Sequence, residues 1–205
     1  MVRIVKKASV RRQEIVATAR QLFQVNEYER TTMQDVMDRL GIAKGTIYHY
    51  FKSKEELLEA VVENIVEEDN IRKQLLLKET QGNALEKVRV LISADNMAAD
   101  NPEILEHLHR PGNLGMHIRQ LAVTLTRQAP LYAELIRQGC EEGLFQPEHP
   151  LECAEFILSA VQFLTDMGIY PWAQQDLIRR AMAFPAIIET MLKAPKGSFQ
   201  FMLEQ

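Results

Sequence analysis

The amino-acid sequence predicts an all-α protein. Alternating runs of Val, Ile and Thr closed by Asn-Gly or Gly-Asp turns are almost absent from its 205 residues, whereas apolar residues recur at helical spacing throughout. Beyond residue 80, breaks rich in Gly, Pro and Asn divide this pattern at TQGN, DNP, RPGNLG, QAP, QPEHP and IYP. The length allows one substantial core with a small second unit beside it.

The first two predicted helices are short and amphipathic. The first starts at about Ser9, and its apolar stripe consists of Ile15, Ala19, Leu22 and Phe23. The second begins at Thr32, which can cap it together with Asp35 three residues on. Gly41 ends this helix after about two turns, since glycine adopts the left-handed conformation of a helix C-terminus. Its predicted inner face is formed by Met33, Val36, Met37 and Leu40.

A third helix is predicted from about Ala43 to Phe51. Ser53 and Glu56 then form a capping box that opens a long fourth helix, which reaches about Lys78. A short turn containing glycine therefore joins the second and third helices. This arrangement over residues 32–51 is typical of a helix-turn-helix unit in its three-helix form.

The rest of the chain contains six further helical patterns, at about 84–100, 102–110, 114–128, 130–143, 150–168 and 172–193. Pro185 lies inside the last of these and should kink it, because proline removes a backbone hydrogen bond and crowds the preceding turn.

Charge is distributed unevenly along the chain. Residues 1–54 contain eleven Lys and Arg against five Asp and Glu, a net of +6, so the remainder carries −10 within a total of −4. A basic head on an acidic body suits a protein of which one end meets a polyanion such as DNA. A solvated basic tail is the alternative that charge alone leaves open.

The third helix has a face that packing does not explain. Ile47 and Phe51 share an inward face with Ala43, and Gly45 and His49 lie opposite. A glycine in the middle of a helix costs about 1 kcal/mol relative to alanine. Its use here would be close approach, because a backbone without a Cβ can lie against a DNA strand.

The neighbouring side chains suit DNA contacts. Thr46 is predicted to contact a base edge, Lys44 a guanine or phosphate, and Tyr48 and His49 phosphates, with unspecific charge from two further lysines. Hydroxyl and N–H groups at the start of the second helix could bind another phosphate. The predicted DNA-binding residues are Thr31, Thr32, Lys44, Gly45, Thr46, Tyr48, His49, Lys52 and Lys54. Taken singly, the lysines could be solvated surface and Thr32 only a cap.

The stretch TTMQDVMDRLGIAKGTIYHYFKSKEELLEAVV resembles the DNA-binding region of the TetR family of bacterial transcriptional regulators. The likeness covers about residues 9–69. It departs from the family pattern at Asn26, where a glycine is usual before the aromatic at Tyr28. A fainter likeness lies in QGCEEGLFQPEHPLECAEFILSAV, which is similar to the segment leading into the penultimate helix of many members.

The resemblance implies a division into a DNA-binding head, residues 1–54 with their basic arm, and a helical ligand-binding and dimerisation body, residues 55–205. It implies a repressor that binds a palindromic double-stranded DNA operator and is released by an unknown small-molecule effector. Because the sequence shows neither a signal peptide nor a membrane span, we expect the protein in the cytoplasm. Candidate effector-lining residues in the body are Met97, Met116, His117, Phe163 and Trp172. Residues of these types at helical spacing also form ordinary cores.

A homodimer is predicted from the stretch FILSAVQFLTDM, residues 156–167. Its polar residues occupy a narrow arc, so its apolar arc is wider than one core contact requires. A second copy of the chain would cover the excess, and symmetric dimers are the commonest assembly. A helix central to the monomer core is the alternative. The resemblance implies the dimer too, through the last two long helices.

The competing class is a helical enzyme or metalloprotein with an incidental basic N-terminus. Glu106 and His109 match the Glu-x-x-His spacing of di-iron bundles, but such a site needs a second helix of this kind. Nearby His107 and His117 could supply ligands without a motif, yet we interpret all three histidines as surface or supporting polar groups. No catalytic motif, zinc-type cysteine spacing or long apolar run appears. We therefore predict no enzyme, metal, cofactor or membrane span.

Overall fold

The computed structural model describes residues 8–94 and 101–203, and within these ranges it is helical without strands, as the sequence predicts. Two short 3₁₀ turns, Pro111–Asn113 and Gln200–Leu203, accompany nine α-helices in the described residues. The helices are α1 Ala8–Asn26, α2 Met33–Leu40, α3 Lys44–Tyr50, α4 Lys54–Glu79, α5 Ala84–Ser93, α6 Pro102–Leu108, α7 Leu114–Glu141, α8 Pro150–Thr165 and α9 Gln174–Leu192. None of them is long and apolar enough to cross a membrane.

Helix α7 corrects the predicted break at QAP, because it runs through Pro130 without interruption. A proline in a helix removes only one backbone hydrogen bond. The neighbouring Ala129 and Ala133 are fully buried in the body core, and their packing against the other helices holds the two halves of α7 in line. Tertiary packing therefore overrides the local signal here.

The ends of α2 follow the sequence prediction. The Thr32 hydroxyl accepts from the Asp35 backbone N–H, and the Asp35 carboxylate accepts from the Thr32 N–H at 2.7 Å. Gly41 ends the helix with φ 61°. The left-handed residue after α1 is Glu27, with φ 64°, and not Asn26, which is still helical.

Helices α1–α4 enclose one core, to which Ile104 and Leu108 of α6 also belong. The other core lies between α5, α7, α8, α9 and the C-terminal turn. Helix α4 joins the two: its first half, from Leu57 to Ile65, packs in the head core, and Leu76 and Leu77 pack against the body core. A movement of α4 would therefore displace side chains in both the head core and the body core. The division of domains at residue 54 stays a prediction.

Candidate DNA interface and body cavity

Helix α3 lies on the head with one side packed inward. Ile47 and Phe51 are fully buried in the head core. Ala43 is not part of this inward face, contrary to the sequence prediction: it is exposed and precedes the helix as its N-cap, because α3 begins one residue later. Lys44, Gly45 and His49 are all exposed on the outer side.

The position of Gly45 has no intramolecular explanation. A Cβ built on Gly45 would meet no atom within 4 Å, and its φ is not positive. By contrast, a Cβ at Gly139 in α7 would lie 2.1 Å from the Phe145 ring, so the close packing there requires glycine. Within the described chain, neither packing nor backbone conformation demands a glycine at residue 45.

Three side chains frame Gly45 on the exposed surface of α3. The Lys44 ammonium lies 5.7 Å from the centre of the Tyr48 ring, a cation–π distance. The Tyr48 ring is half-buried and packs partly against the head core. The His49 ring meets the Tyr50 ring edge-on, with centroids 5.0 Å apart. Together with half-exposed Thr46, these groups form a rim of donors and acceptors around the open backbone of Gly45.

Thr31 and Lys54 have internal partners. Thr31 is fully buried, and its hydroxyl hydrogen-bonds to the Leu22 and Glu27 carbonyls, so the expectation that this hydroxyl faces a phosphate is wrong. The Lys54 ammonium donates at 3.0 Å to the carbonyls of Tyr28 and Thr31. Both side chains thus tie the loop before α2 to its neighbours.

Thr32 and Lys52 are exposed at the edges of the helix-turn-helix unit. The Thr32 hydroxyl also donates to Asp35 at 2.7 Å, and these hydrogen bonds hold the pKa of the Asp35 carboxyl below its usual value. The Lys52 ammonium donates at 3.0 Å to the Tyr48 carbonyl near the end of α3. Both therefore have a structural partner while remaining open to solvent.

The body contains a half-open cavity of about 630 Å³ between α5, the end of α6, α7, α8, α9 and the C-terminal turn. Its walls are mainly apolar, with Ile157, Leu158 and Val161 of α8 on one side. The opposite wall carries a polar stripe along α7. This stripe consists of His117, Gln120, Thr124 and Gln128, all buried. Their spacing of three, four and four residues places them on one helical face.

Of the four candidate lining residues that fall in the described part of the chain, only His117 lines this cavity. Met116 packs against the head core instead. Phe163 is exposed on the outer side of α8, and Trp172 stacks with Arg180, whose guanidinium lies 3.9 Å from the centre of the indole. Met97 lies outside the described residues. The polar stripe on α7 is not among the residues predicted from the sequence. The signal for it is the recurrence of His, Gln, Thr and Gln at helical spacing in HIRQLAVTLTRQ.

The polar end of the cavity joins His109, His117 and Asp166. The His117 Nε2 hydrogen-bonds to Asp166 Oδ2 at 2.9 Å. Burial alone would raise the pKa of Asp166, but the hydrogen bond with His117 and other favourable contacts outweigh it and lower the pKa. Burial lowers the pKa of His109. His117 is only 1% exposed and His107 is buried too, so of the two predicted roles the surface role is excluded for these histidines and the supporting polar role remains.

The segment α6 connects the cavity with the head. The His107 ring lies against the Tyr28 ring with centroids 3.9 Å apart, and the Arg110 guanidinium donates to Glu29 at 2.7 Å. Burial lowers the pKa of His107, and the nearby Glu29 carboxylate opposes this shift. Since His109 reaches the cavity from the same segment, a change at the cavity end can be transmitted to the head.

The outer faces of α8 and α9 carry unusually exposed apolar side chains. Only Ala154 of α8 is fully buried. Phe156 is 70% exposed and Met182 of α9 is 61% exposed. The remaining members of this outer apolar face are Phe163, Ile178 and Ile187. Phe156 and Phe163 lie seven residues apart, on one face of α8, and exposed apolar side chains grouped on one face are typical of an interaction surface.

Two family models match the chain and decide its classification. Residues 15–61 match the model of bacterial regulatory proteins of the tetR family, and residues 96–187 match a tetracyclin repressor-like C-terminal domain. The chain belongs to the TetR family. The sequence resemblance is thereby confirmed, and it extends over the body as well as the head.

Curated relatives agree with this classification. The repressor KstR2 of Mycobacterium tuberculosis (strain ATCC 25618 / H37Rv) is 27% identical over 72% of this chain and 76% of its own length. The uncharacterised regulator YfiR of Bacillus subtilis is 26% identical over 90% of this chain and 93% of its own.

Among solved structures, a TetR-family regulator of Pectobacterium atrosepticum is similar with a TM-score of 0.61 at 22% identity. It covers 93% of this chain and 100% of its own. RolR without ligand is similar with a TM-score of 0.62 at 17% identity, over 94% and 96%. At these identities the two structures support the fold.

This TetR-family chain is therefore a DNA-binding transcriptional regulator and not an enzyme, because its relatives are named as transcriptional regulators and repressors. The competing interpretation of a helical enzyme or metalloprotein with an incidental basic N-terminus is not favoured.

Proposed function

We propose that the chain is a dimeric repressor that binds a palindromic operator and is released by a small-molecule effector in the body cavity. The observation that carries the DNA-binding part is Gly45, an exposed glycine with open space above it. It lies at the centre of a polar helix face, framed by Lys44, Thr46 and His49. A DNA backbone or base edge can approach α3 there more closely than at any residue with a Cβ.

The outer apolar face of α8 and α9 supports the dimer. A soluble monomer seldom exposes two phenylalanines on one helix face together with apolar side chains of the next helix. If a second copy covers this face by two-fold symmetry, the two α3 helices form a pair. Helix-turn-helix dimers read half-sites about 34–36 Å apart, one turn of DNA, and the two-fold symmetry of the dimer would make the operator palindromic.

The cavity suits an effector that is mainly apolar with a few polar groups along one edge. A volume of 630 Å³ lies within the range typical of small-molecule sites. The apolar wall of α8 would contact the body of the effector, and the stripe on α7 would accept and donate hydrogen bonds. The relative KstR2 is itself named a repressor, which favours release on effector binding.

Helix α4 would transmit the signal. Gln128 of the stripe donates to Asp69 of α4 at 3.2 Å, and Asp69 forms a buried ion pair with Lys73 at 2.9 Å. An effector that hydrogen-bonds to Gln128 competes for this contact. It shifts the two heads only if it binds the released state more tightly than the DNA-bound state.

Fluorescence anisotropy with DNA from upstream of the chain's own gene tests the proposal, and binding should be sequence-selective and weaken as salt rises. Thr46→Ala should change the preferred base at one position, whereas Lys52→Ala should weaken all sequences alike and lower the salt slope. Binding that is equal for operator and scrambled DNA would contradict the operator-reading role.

Such a role acts on chromosomal DNA, so we place the protein in the cytoplasm.

A further inference from the structure

Three potential metal ligands converge at the polar end of the body cavity. His109 follows α6, His117 lies in the first turn of α7, and Asp166 follows α8. One ligand atom of each lies within 4.8 Å of those of the other two. The three residues come from separate parts of the chain, so only folding brings them together.

The distances fit a single ion. A tetrahedral site with bonds of 2.0–2.1 Å separates its ligand atoms by about 3.4 Å. The Asp166 carboxylate lies 2.9 Å from His117 Nε2 through Oδ2 and 3.6 Å from His109 Nε2 through Oδ1. All three ligand atoms lie within 4.8 Å of one another, so side-chain shifts of about 1 Å would place them around one ion.

The surrounding residues hold two of these ligands in position. Asp166 Oδ1 accepts hydrogen bonds from the backbone N–H groups of Gly168 at 2.7 Å and Ile169 at 3.1 Å, which fix the carboxylate. A Cβ at Gly168 would lie 2.2 Å from Cδ2 of His109, so glycine is needed for this ring to lie beside the carboxylate. His109 Nε2 is buried and has no hydrogen-bond partner in the described part of the chain.

We propose that His109, His117 and Asp166 bind a divalent ion of the Zn²⁺ and Co²⁺ class. Two imidazoles and one carboxylate, without a thiolate, suit these borderline ions. All three residues line the cavity, so the remaining coordination position faces into it. That position would take an oxygen or nitrogen donor of the effector. This last step rests on the proposed effector function, whereas binding of the ion does not.

The ion would also tie three helices together. His109 lies two residues after His107, whose ring packs on Tyr28 of the head. Coordination would fix the end of α6 to α7 and to the loop after α8. The site therefore lies on the structural path between cavity and head.

Titration of the tag-free, full-length chain with Co²⁺ tests the proposal without DNA. We expect one ion per chain and visible absorption bands of low-symmetry Co²⁺. Loss of a residue that only supports a metal ligand weakens metal binding about tenfold or more. His109→Ala, His117→Gln and Asp166→Asn each remove a ligand, so each should weaken Co²⁺ binding by at least this factor. His149→Ala is the control, since His149 is an exposed histidine before α8 and should leave binding unchanged. Circular dichroism checks that each variant is folded.

Two further measurements separate a built site from chance histidines. Gly168→Ala removes no ligand but displaces the His109 ring, so it should weaken Co²⁺ binding. Displacement of the bound Co²⁺ by Zn²⁺ should still fit a single site per chain. Azide, added as a probe of the open position, should shift the Co²⁺ spectrum. Absence of stoichiometric binding, or equal affinity in the ligand variants and in His149→Ala, would overturn the proposal. Failure of operator binding would leave these results unaffected.

Discussion

Replacing Gly45 by alanine should separate the stability of α3 from its ability to approach DNA. No atom lies within 4 Å of the added methyl group, so the substitution introduces no clash. Alanine is favoured over glycine by about 0.5–1 kcal/mol in a helix interior. Because Gly45 lies in the first turn of α3, we take the lower end of this range, which raises Tm by about 1–2 °C for a chain of this size. The free protein should therefore become more stable.

The same methyl group should weaken operator binding, because it keeps the α3 backbone away from the DNA. Loss of contacts worth about 1.4 kcal/mol reduces affinity tenfold, and we expect a loss of at least about this size. Thermal unfolding by circular dichroism and operator titration by fluorescence anisotropy measure the two effects on one preparation.

Gly115→Ala is the matched control for this experiment. Gly115 is also an exposed helical glycine, with no atom within 4 Å of a built Cβ, but it lies in α7 of the body. It should gain comparable stability without losing DNA affinity. If Gly45→Ala binds the operator as tightly as the unmodified chain, the argument that Gly45 serves close approach is refuted. A fall in Tm would refute the reasoning about open space.

Three further outcomes are expected. Phe163→Asp should dissociate the proposed dimer in sedimentation velocity, because it places a charge on the outer apolar face, whereas Val25→Asp, at an exposed site on α1, should leave the assembly unchanged. The free energy of unfolding should fall as pH drops below about 6.5, the ordinary pKa of histidine. Burial lowers the pKa of His107 in the folded chain, so the unfolded chain takes up a proton first as the pH falls. The stability that neutral His107 contributes is therefore lost progressively until the pH passes the folded-state pKa. His107→Gln should reduce this slope in urea titrations at several pH values, and an unchanged slope would contradict the assignment. Lys73→Met should lower the free energy of unfolding by about 1–3 kcal/mol, because the buried Asp69 carboxylate loses its ammonium partner at 2.9 Å and, among the described residues, keeps only the Arg72 guanidinium at 2.5 Å as a charged partner; an unchanged free energy would show that Arg72 alone balances the carboxylate.

The head could be predicted from the sequence because its signals are local. The cap of Thr32 with Asp35 and the stop at Gly41 each depend on residues three or four positions apart. The inward positions of Ile47 and Phe51 follow from helical periodicity. Even here the hydroxyl of Thr31 was misassigned, since its carbonyl partners in Leu22 and Glu27 belong to the end of α1 and the loop after it.

The body was predicted less completely because its contacts are distant in sequence. The motif QAP predicts a helix end near Pro130, but α7 continues through this residue because its neighbours pack in the body core. Phe163 and Trp172 are of residue types that often line cavities. Which face of a helix lines a cavity, however, depends on the helices packed around it. His117 and Asp166 are 49 residues apart, and no spacing rule connects them.

The helical class, the helix-turn-helix unit and the exposed glycine of α3 can be predicted from the amino-acid sequence, because caps, turns and periodicity act over one or two helical turns. The folded chain alone shows where the cavity lies, which polar residues line it and how α4 and α6 connect it to the head. Those features depend on how separate helices pack, and a helix buries a given side chain only when another element covers it.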